Sequence, residues 1–171
     1  MSRATETLPA IIKIRATRPW PERIQILTRS LAPVLLVAIL VLAATFRLTG
    51  VNWDSNKHLH PDERFLTSVA NDIKWPTNLD TYFDPKASSL SPYSLPNMGL
   101  YVYGTLPLWL VKGVAILLNA NTYDEIAIVG RIISALFDIA SIGVLYLIGR
   151  RLYGQVVALL GATLLSLSVL N

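Results

Sequence analysis

Apolar residues in this chain fall into four long runs separated by polar segments, and they do not form the short amphipathic stripes of a soluble protein. The first run follows Arg29 and contains 17 uncharged residues before Arg47. If the Arg47 side chain reaches toward the membrane surface, this run extends to Val51 and supplies the ~20 residues that cross a bilayer. The other runs occupy residues 98–118, 131–149 and 152–171. The pattern predicts an all-α integral membrane protein.

The polar segments differ in charge. Residues 1–29 are mainly basic, whereas residues 52–97 contain six acidic and four basic side chains. The basic segment predicts a cytoplasmic N-terminus followed by a signal anchor at 30–51, because positive charge tends to stay on the cytoplasmic side. A cleaved signal peptide is the alternative, but its basic region would be unusually long. Residues 52–97 are too charged for hydrocarbon and predict an extracytoplasmic loop, of the long kind that often carries function.

The charges around the later runs predict their direction. Arg150 and Arg151 form the strongest internal positive cluster, so we expect them in the cytoplasm and the acidic linker 119–130 outside. If the helix at 30–51 runs outward, the helix at 131–149 then runs inward. The chain is outside both before and after the stretch at 98–118, so that stretch cannot cross the membrane. Its proline and its lysine favour a re-entrant or surface-lying helix. Four full spans, with the arginine pair outside, are the alternative.

Composition supports the membrane interpretation. Of the 171 residues, 53% are hydrophobic and 15% are charged, against about a quarter charged in soluble domains. The absence of cysteine excludes disulfides and thiolate chemistry. A pI near 9.5 would suit nucleic acid, but the basic residues flank the apolar runs, so we expect a lipid bilayer as partner and no nucleic acid. The uncharged run at 152–171 ends without an anchor, which indicates the N-terminal part of a longer, multi-pass protein of the cell membrane.

The densest polar cluster of the outer loop surrounds Asp62 and Glu63. Pro61 suits the first turn of a helix, and both carboxylates would then lie near the positive end of the helix dipole. The apolar residues that follow share one face of that helix: Leu66, Val69 and Ile73. We therefore expect an amphipathic helix that lies on the membrane surface with this stripe inward.

Three interpretations of this cluster stay open on the residues alone. Asp62 and Glu63 could serve only as helix-capping residues. Together with His58 and His60 they offer the nitrogen and oxygen ligands of a divalent metal site, although Pro61 interrupts the spacing. A carboxylate at the boundary between water and membrane could also deprotonate a hydroxyl nucleophile, which predicts catalysis.

Five motifs occur in a characteristic order along the chain. They are Asn52-Trp-Asp, His60-Pro-Asp-Glu-Arg-Phe, Tyr103-Gly-Thr-Leu-Pro, Arg131-Ile-Ile-Ser-Ala-Leu-Phe and Leu147-Ile-Gly-Arg-Arg-Leu-Tyr-Gly. In this order they resemble the GT-C superfamily of membrane glycosyltransferases, and its protein O-mannosyltransferase-like branch in particular. The resemblance covers residues 30–171. One departure is that the family's His-Pro-Pro-Leu motif is not reproduced.

The resemblance implies the N-terminal part of a multi-span enzyme that transfers a sugar from a polyprenyl-phosphate carrier to an acceptor, with inversion at the anomeric carbon. In this family an acidic residue of the first outer loop acts as general base or binds the acceptor. Asp62 matches that residue and Glu63 matches the second member of the pair, so both are the catalytic candidates. Arg131, His60 and Asp54 are the substrate-binding candidates. A divalent metal cofactor, the sugar and the acceptor are left open.

Two charged residues near the later apolar runs have competing explanations. Asp138 is costly to bury and predicts either a functional site or helix packing through neighbouring serines. Arg131 could bind a lipid phosphate bidentately or pair with Glu125. The alternatives to an enzyme are a non-catalytic multi-span membrane subunit and a transporter fragment. Even as a glycosyltransferase, this fragment is not expected to be active alone.

Overall fold

The computed structural model describes residues 22–76, 78–84, 86–95 and 101–168, with side chains from residue 30 onward. Within these ranges the chain is all-helical and has no strand, as predicted. The helices are α1 (Glu22–Leu48), α2 (Pro61–Asp72), α3 (Leu79–Phe83), α4 (Thr105–Leu117), α5 (Tyr123–Tyr153) and α6 (Gln155–Leu167), with a 3-10 turn at Pro92–Ser94.

Two helices are long and apolar enough, by length and composition, to cross a bilayer. They are the Ser30–Leu48 part of α1, where the mean hydropathy reaches 2.4, and α5, where it reaches 2.1. Helices α4 and α6 have 13 residues each, or about 20 Å at 1.5 Å per residue, which is less than the ~30 Å of hydrocarbon. The re-entrant or surface-lying position predicted for the stretch at 98–118 stays a prediction. The span predicted at 152–171 stays a prediction, because α6 is shorter and residues 169–171 lie outside the described residues.

Both long helices begin earlier than the sequence pattern indicates. Helix α1 begins at Glu22, inside the basic segment 1–29 and before the span predicted at 30–51, while residues 1–21 lie outside the described residues. Helix α5 begins at Tyr123 instead of 131, because Thr122 caps it. The Thr122 side chain accepts from the Glu125 N–H, and the Glu125 carboxylate accepts from the Thr122 N–H at 3.0 Å. This capping box has a sequence signature, Thr-x-x-Glu, that the hydrophobic pattern alone does not register.

Glycines shape the reversal between α5 and α6. Helix α5 continues through the arginine pair to Tyr153, and Gly154 then adopts a φ of +89°, a conformation that side chains other than glycine rarely take. The chain turns there and α6 packs back along α5. The two helices come close at Gly149, where an added Cβ would lie 3.2 Å from the Ala158 Cα.

The buried residues form two clusters along the length of α5. The loop cluster joins α2, α4 and the first turns of α5, and consists of Val69, Ala70, Ile73, Leu90, Tyr101, Leu108, Ala115, Ile126 and Val129. The bundle cluster joins α1, α6 and the later turns of α5, and consists of Ala32, Ala43, Ile142, Tyr146, Ala158, Leu159 and Ala162. Helix α5 therefore connects the loop cluster to the bundle cluster, which α5 forms together with α1 and α6.

Helix α2 forms where the sequence predicts it, with Pro61 in its first turn. Val69 and Ile73 on the predicted apolar face are completely buried. The expectation that this face lies on a membrane surface is wrong, because the face packs within the loop cluster, against α4 and α5. Periodicity identifies a face that must be covered, but it does not distinguish lipid from protein as the cover.

Candidate functional site

A cavity of about 690 Å³ lies between the end of α1, the first turns of α2, the segment that leads into α4, and the first half of α5. Most of its wall is apolar. Four of the five predicted site residues line it: His60, Asp62, Glu63 and Arg131. The fifth, Asp54, contacts the Arg131 guanidinium. The structure thus brings together residues that the sequence separates by up to 77 positions.

The guanidinium of Arg131 holds two carboxylates at once. Its Nε donates to Glu63 Oε1 at 2.5 Å and its Nη2 to Glu63 Oε2 at 2.9 Å. On the other side, Nη1 and Nη2 donate to the two oxygens of Asp54 at 3.0 and 2.8 Å. The fifth N–H donates to the Val51 carbonyl at 2.9 Å. Since arginine has five N–H donors, every one of them is used.

Asp54 is the most deeply buried member of this arrangement, which we call the Arg131 clamp (Asp54, Glu63, Arg131 and the Val51 carbonyl). Its side chain is fully buried, against 14% exposure for Arg131 and 24% for Glu63. Hydrogen bonds from Arg131 lower the pKa of Asp54 from 3.8 to about 2, against the opposing effect of burial. The Arg131 guanidinium also lies over the Trp53 ring, 5.6 Å from its centroid, a favourable cation–π geometry.

The loop around Asp54 is held in an uncommon backbone conformation. Ser55, Asn56 and His58 all have positive φ values, between +47° and +62°, which cost free energy in residues other than glycine. The Asn52 side chain compensates in part by accepting from the Asn56 N–H at 3.0 Å. Several hydrogen bonds of this loop therefore serve to fix the position of the Asp54 carboxylate.

The metal-site interpretation of the histidine and carboxylate cluster finds no support. The His58 ring turns away from the other candidates, with its Nε2 lying 2.7 Å from Asp124 Oδ1 and its ring packed edge-on to Tyr123. In the part of the chain that the structure describes, no three His, Cys, Asp or Glu side chains are grouped to hold a metal ion. Of the four candidates, His60, Asp62 and Glu63 line the cavity, whereas His58 pairs with Asp124 and does not line it.

The two adjacent carboxylates of α2 have different surroundings. Glu63 is bound by the clamp, whereas Asp62 is exposed, lines the cavity and makes no ion pair within the described residues. Burial, together with the neighbouring Asp62 carboxylate, raises the pKa of Tyr103. The Tyr103 ring lies 6.0 Å from the Tyr101 ring and 6.1 Å from the Phe65 ring, and those two rings are 6.3 Å apart. Asp62 is therefore the carboxylate that is available to a bound molecule.

The other charged residues that the sequence singled out have structural partners. Arg47 does not reach toward a membrane surface: its Nε pairs with Asp138, and its Nη atoms donate to carbonyl groups near the end of α6 at 3.0 and 3.1 Å. This pairing removes the main reason to regard Asp138 as a transport site. Lys112 is buried and donates to the Asn71 carbonyl at 3.2 Å, away from the cavity. The pairing of Arg131 with Glu125 is not observed, because Glu125 caps α5 instead.

Comparisons of this chain with protein-family models, with curated proteins and with solved structures gave no match. The geometry of the site and the motifs of the sequence therefore carry the functional argument.

Proposed function

We propose that this chain is a GT-C-like membrane glycosyltransferase, or the N-terminal part of one, which transfers a sugar from a polyprenyl-phosphate donor to an acceptor at the outer membrane face. The observation that carries the proposal is the position of Asp62. It is a carboxylate without a cationic partner in the described residues, on the wall of a largely apolar cavity beside the ends of two helices that are long enough to span a bilayer.

The dimensions of α5 support a cavity at the membrane boundary. Arg131 and Arg150 are 19 positions apart on one continuous helix, a rise of about 28 Å. That distance matches the ~30 Å thickness of the hydrocarbon. With Arg150 and Arg151 at the cytoplasmic surface, as positive charge favours, Arg131 and the cavity lie at the opposite surface. A lipid-linked donor and a water-soluble acceptor can meet there.

In the proposed reaction Asp62 acts as the general base. Its carboxylate takes the proton from an acceptor hydroxyl while the hydroxyl oxygen forms a bond to the anomeric carbon of the sugar. The bond between that carbon and the phosphate oxygen breaks on the opposite side, and the polyprenyl phosphate leaves with the electron pair. Inversion follows from this single displacement.

The leaving phosphate needs nearby positive charge. Lys112 does not line the cavity, and the N–H groups of Arg131 are all engaged. Arg47 also lines the cavity, and each of its Nη atoms donates one hydrogen bond within the described residues. Because each Nη carries two hydrogens, Arg47 retains donors for a phosphate oxygen.

The proposal is tested with Asp62→Asn in the full-length protein. We expect the rate of sugar transfer from a radiolabelled polyprenyl-phosphate sugar to fall by about 10²-fold or more, as for loss of a general base, with unchanged insertion into membranes. The matched control is Asp72→Asn, which alters an exposed carboxylate at the other end of α2, outside the cavity. Normal turnover by Asp62→Asn would refute the assignment.

A further inference from the structure

The role of Arg131 differs from the one that its sequence position indicates. An arginine at the end of a membrane helix, next to a cavity, predicts a bidentate contact to a lipid phosphate. In the structure both edges of the guanidinium already bind carboxylates, and the remaining N–H binds the Val51 carbonyl. A phosphate could bind Arg131 only after displacing a carboxylate, with which it competes for the same donors.

The Arg131 clamp joins three separate parts of the chain. Val51 and Asp54 belong to the loop after α1, Glu63 lies in the first turn of α2, and Arg131 lies on α5. Asp62 immediately precedes Glu63 on α2, so whatever fixes Glu63 also fixes the first turn that carries Asp62. The loop cluster secures the later part of this helix through Val69 and Ile73. The clamp secures its beginning.

We propose that Arg131 is a positioning residue, which fixes Asp62 on the cavity wall by binding Asp54 and Glu63, and that it does not bind the donor phosphate. The part concerning Asp62 rests on the proposed function. A guanidinium suits this task because its planar fork can bind two carboxylates edge to edge. A lysine ammonium provides the charge but cannot span both of them.

The absence of cysteine from the sequence allows a direct test that does not depend on activity. Val69→Cys places a single thiol at a completely buried position of α2. Its rate of reaction with a maleimide, in the full chain in detergent, reports how often α2 separates from the core. We expect Arg131→Lys and Asp54→Asn each to raise this rate by about tenfold or more, since both break a buried ion pair. Arg64→Lys, on the exposed side of the same helix turn, is the control and should leave the rate unchanged.

The second measurement is binding of a polyprenyl monophosphate in detergent micelles. A positioning role predicts that Arg131→Lys changes its affinity by less than about twofold, because no donor of Arg131 faces the phosphate. A loss of more than about tenfold would overturn the proposal whatever the thiol result, and so would an unchanged thiol rate in both clamp variants. Asp62→Asn separates this proposal from the proposed function: it should leave the thiol rate unchanged while abolishing sugar transfer. Continued transfer by that variant refutes the function and not the clamp.

Discussion

Two arginine–carboxylate networks occur in the described residues, one beside each buried cluster, and they are built differently. In the Arg131 clamp all three side chains are largely enclosed: Asp54 is fully buried, Arg131 is 14% exposed and Glu63 is 24% exposed. In the second network only the arginine is enclosed. The Arg47 side chain is 5% exposed, whereas its partner Asp138 is 48% exposed, and carbonyl groups of α6 provide the other acceptors.

The two arginines are therefore used differently. The clamp engages all five donors of one guanidinium and joins the loop after α1 to the helices α2 and α5, which is the arrangement needed to hold a reactive group in place. The Arg47 network binds backbone carbonyl groups near the C-terminal end of a helix, which lack partners within the helix and gain from a nearby cation. We therefore expect the first network to tolerate substitution poorly and the second to tolerate loss of its carboxylate.

The largest effect is expected from removing the cation of the clamp. Arg131→Gln leaves Asp54 and Glu63 close together without a counter-ion, so the free energy of unfolding should fall by about 3 kcal/mol, measured by denaturant titration in detergent micelles. The comparison variant is Asp138→Asn, in which Arg47 keeps its two carbonyl acceptors near the end of α6, so the free energy of unfolding should fall less than in Arg131→Gln. Equal losses in the two variants would show that the networks do not differ as described.

The pH dependence of stability distinguishes the clamp in another way. The pKa of Asp54 is about 2 in the folded chain, below its ordinary value of 3.8. A lowered pKa means that the ionised carboxylate stabilises the fold at higher pH, and that this contribution is lost as the pH falls from about 4 to about 2.

The melting temperature in detergent should therefore decline over that pH range. In Asp54→Asn, which cannot titrate there, we expect a lower melting temperature at neutral pH and a smaller decline. Parallel curves for the two proteins would indicate that other carboxylates account for the acid sensitivity.

The smallest effect concerns the close packing of the bundle. Gly149 and Gly143 are both interior positions of α5, and replacing an interior glycine by alanine favours a helix by about 1 kcal/mol. At Gly143 an added Cβ meets nothing within 4 Å, whereas at Gly149 it meets the Ala158 backbone at 3.2 Å. Overpacking of this kind costs about 1–3 kcal/mol.

We therefore expect Gly143→Ala to raise the free energy of unfolding slightly and Gly149→Ala to lower it by about 1 kcal/mol. Thermal unfolding of the two variants in the same detergent measures the difference. A similar gain in both would mean that α5 and α6 separate easily at this crossing, and that close packing of small residues does not secure the bundle.

The parts of the fold that local sequence determines were predictable. The apolar runs predicted the positions of α1 and α5, and Pro61 with the spacing of Val69 and Ile73 predicted α2. The start of α5 was missed although Thr122-x-x-Glu125 encodes it. That signal depends on two polar residues and not on hydrophobic periodicity.

The partners within the site could not be predicted in the same way. Asp54 and Glu63 stood out within motifs of the outer loop and Arg131 as a charged residue beside an apolar run, but Arg131 is 77 positions from Asp54 and 68 from Glu63. Periodicity describes only neighbours on one helix, so it could not show that these three candidates would bind one another. For the same reason it could not show that Asp62, unlike Asp54 and Glu63, would make no ion pair within the described residues.

The length of α5 has a consequence for how the cavity responds to its surroundings. The helix has 31 residues, about 46 Å, so in a bilayer roughly a third of it projects beyond the hydrocarbon. Gly130 and Arg131 on the cavity wall belong to the same continuous helix as the later turns of α5. A spanning helix adapts to a thicker or thinner bilayer by changing its tilt. Because the Arg131 clamp binds Glu63 in the first turn of α2, we expect Asp62 to move together with this wall when α5 tilts.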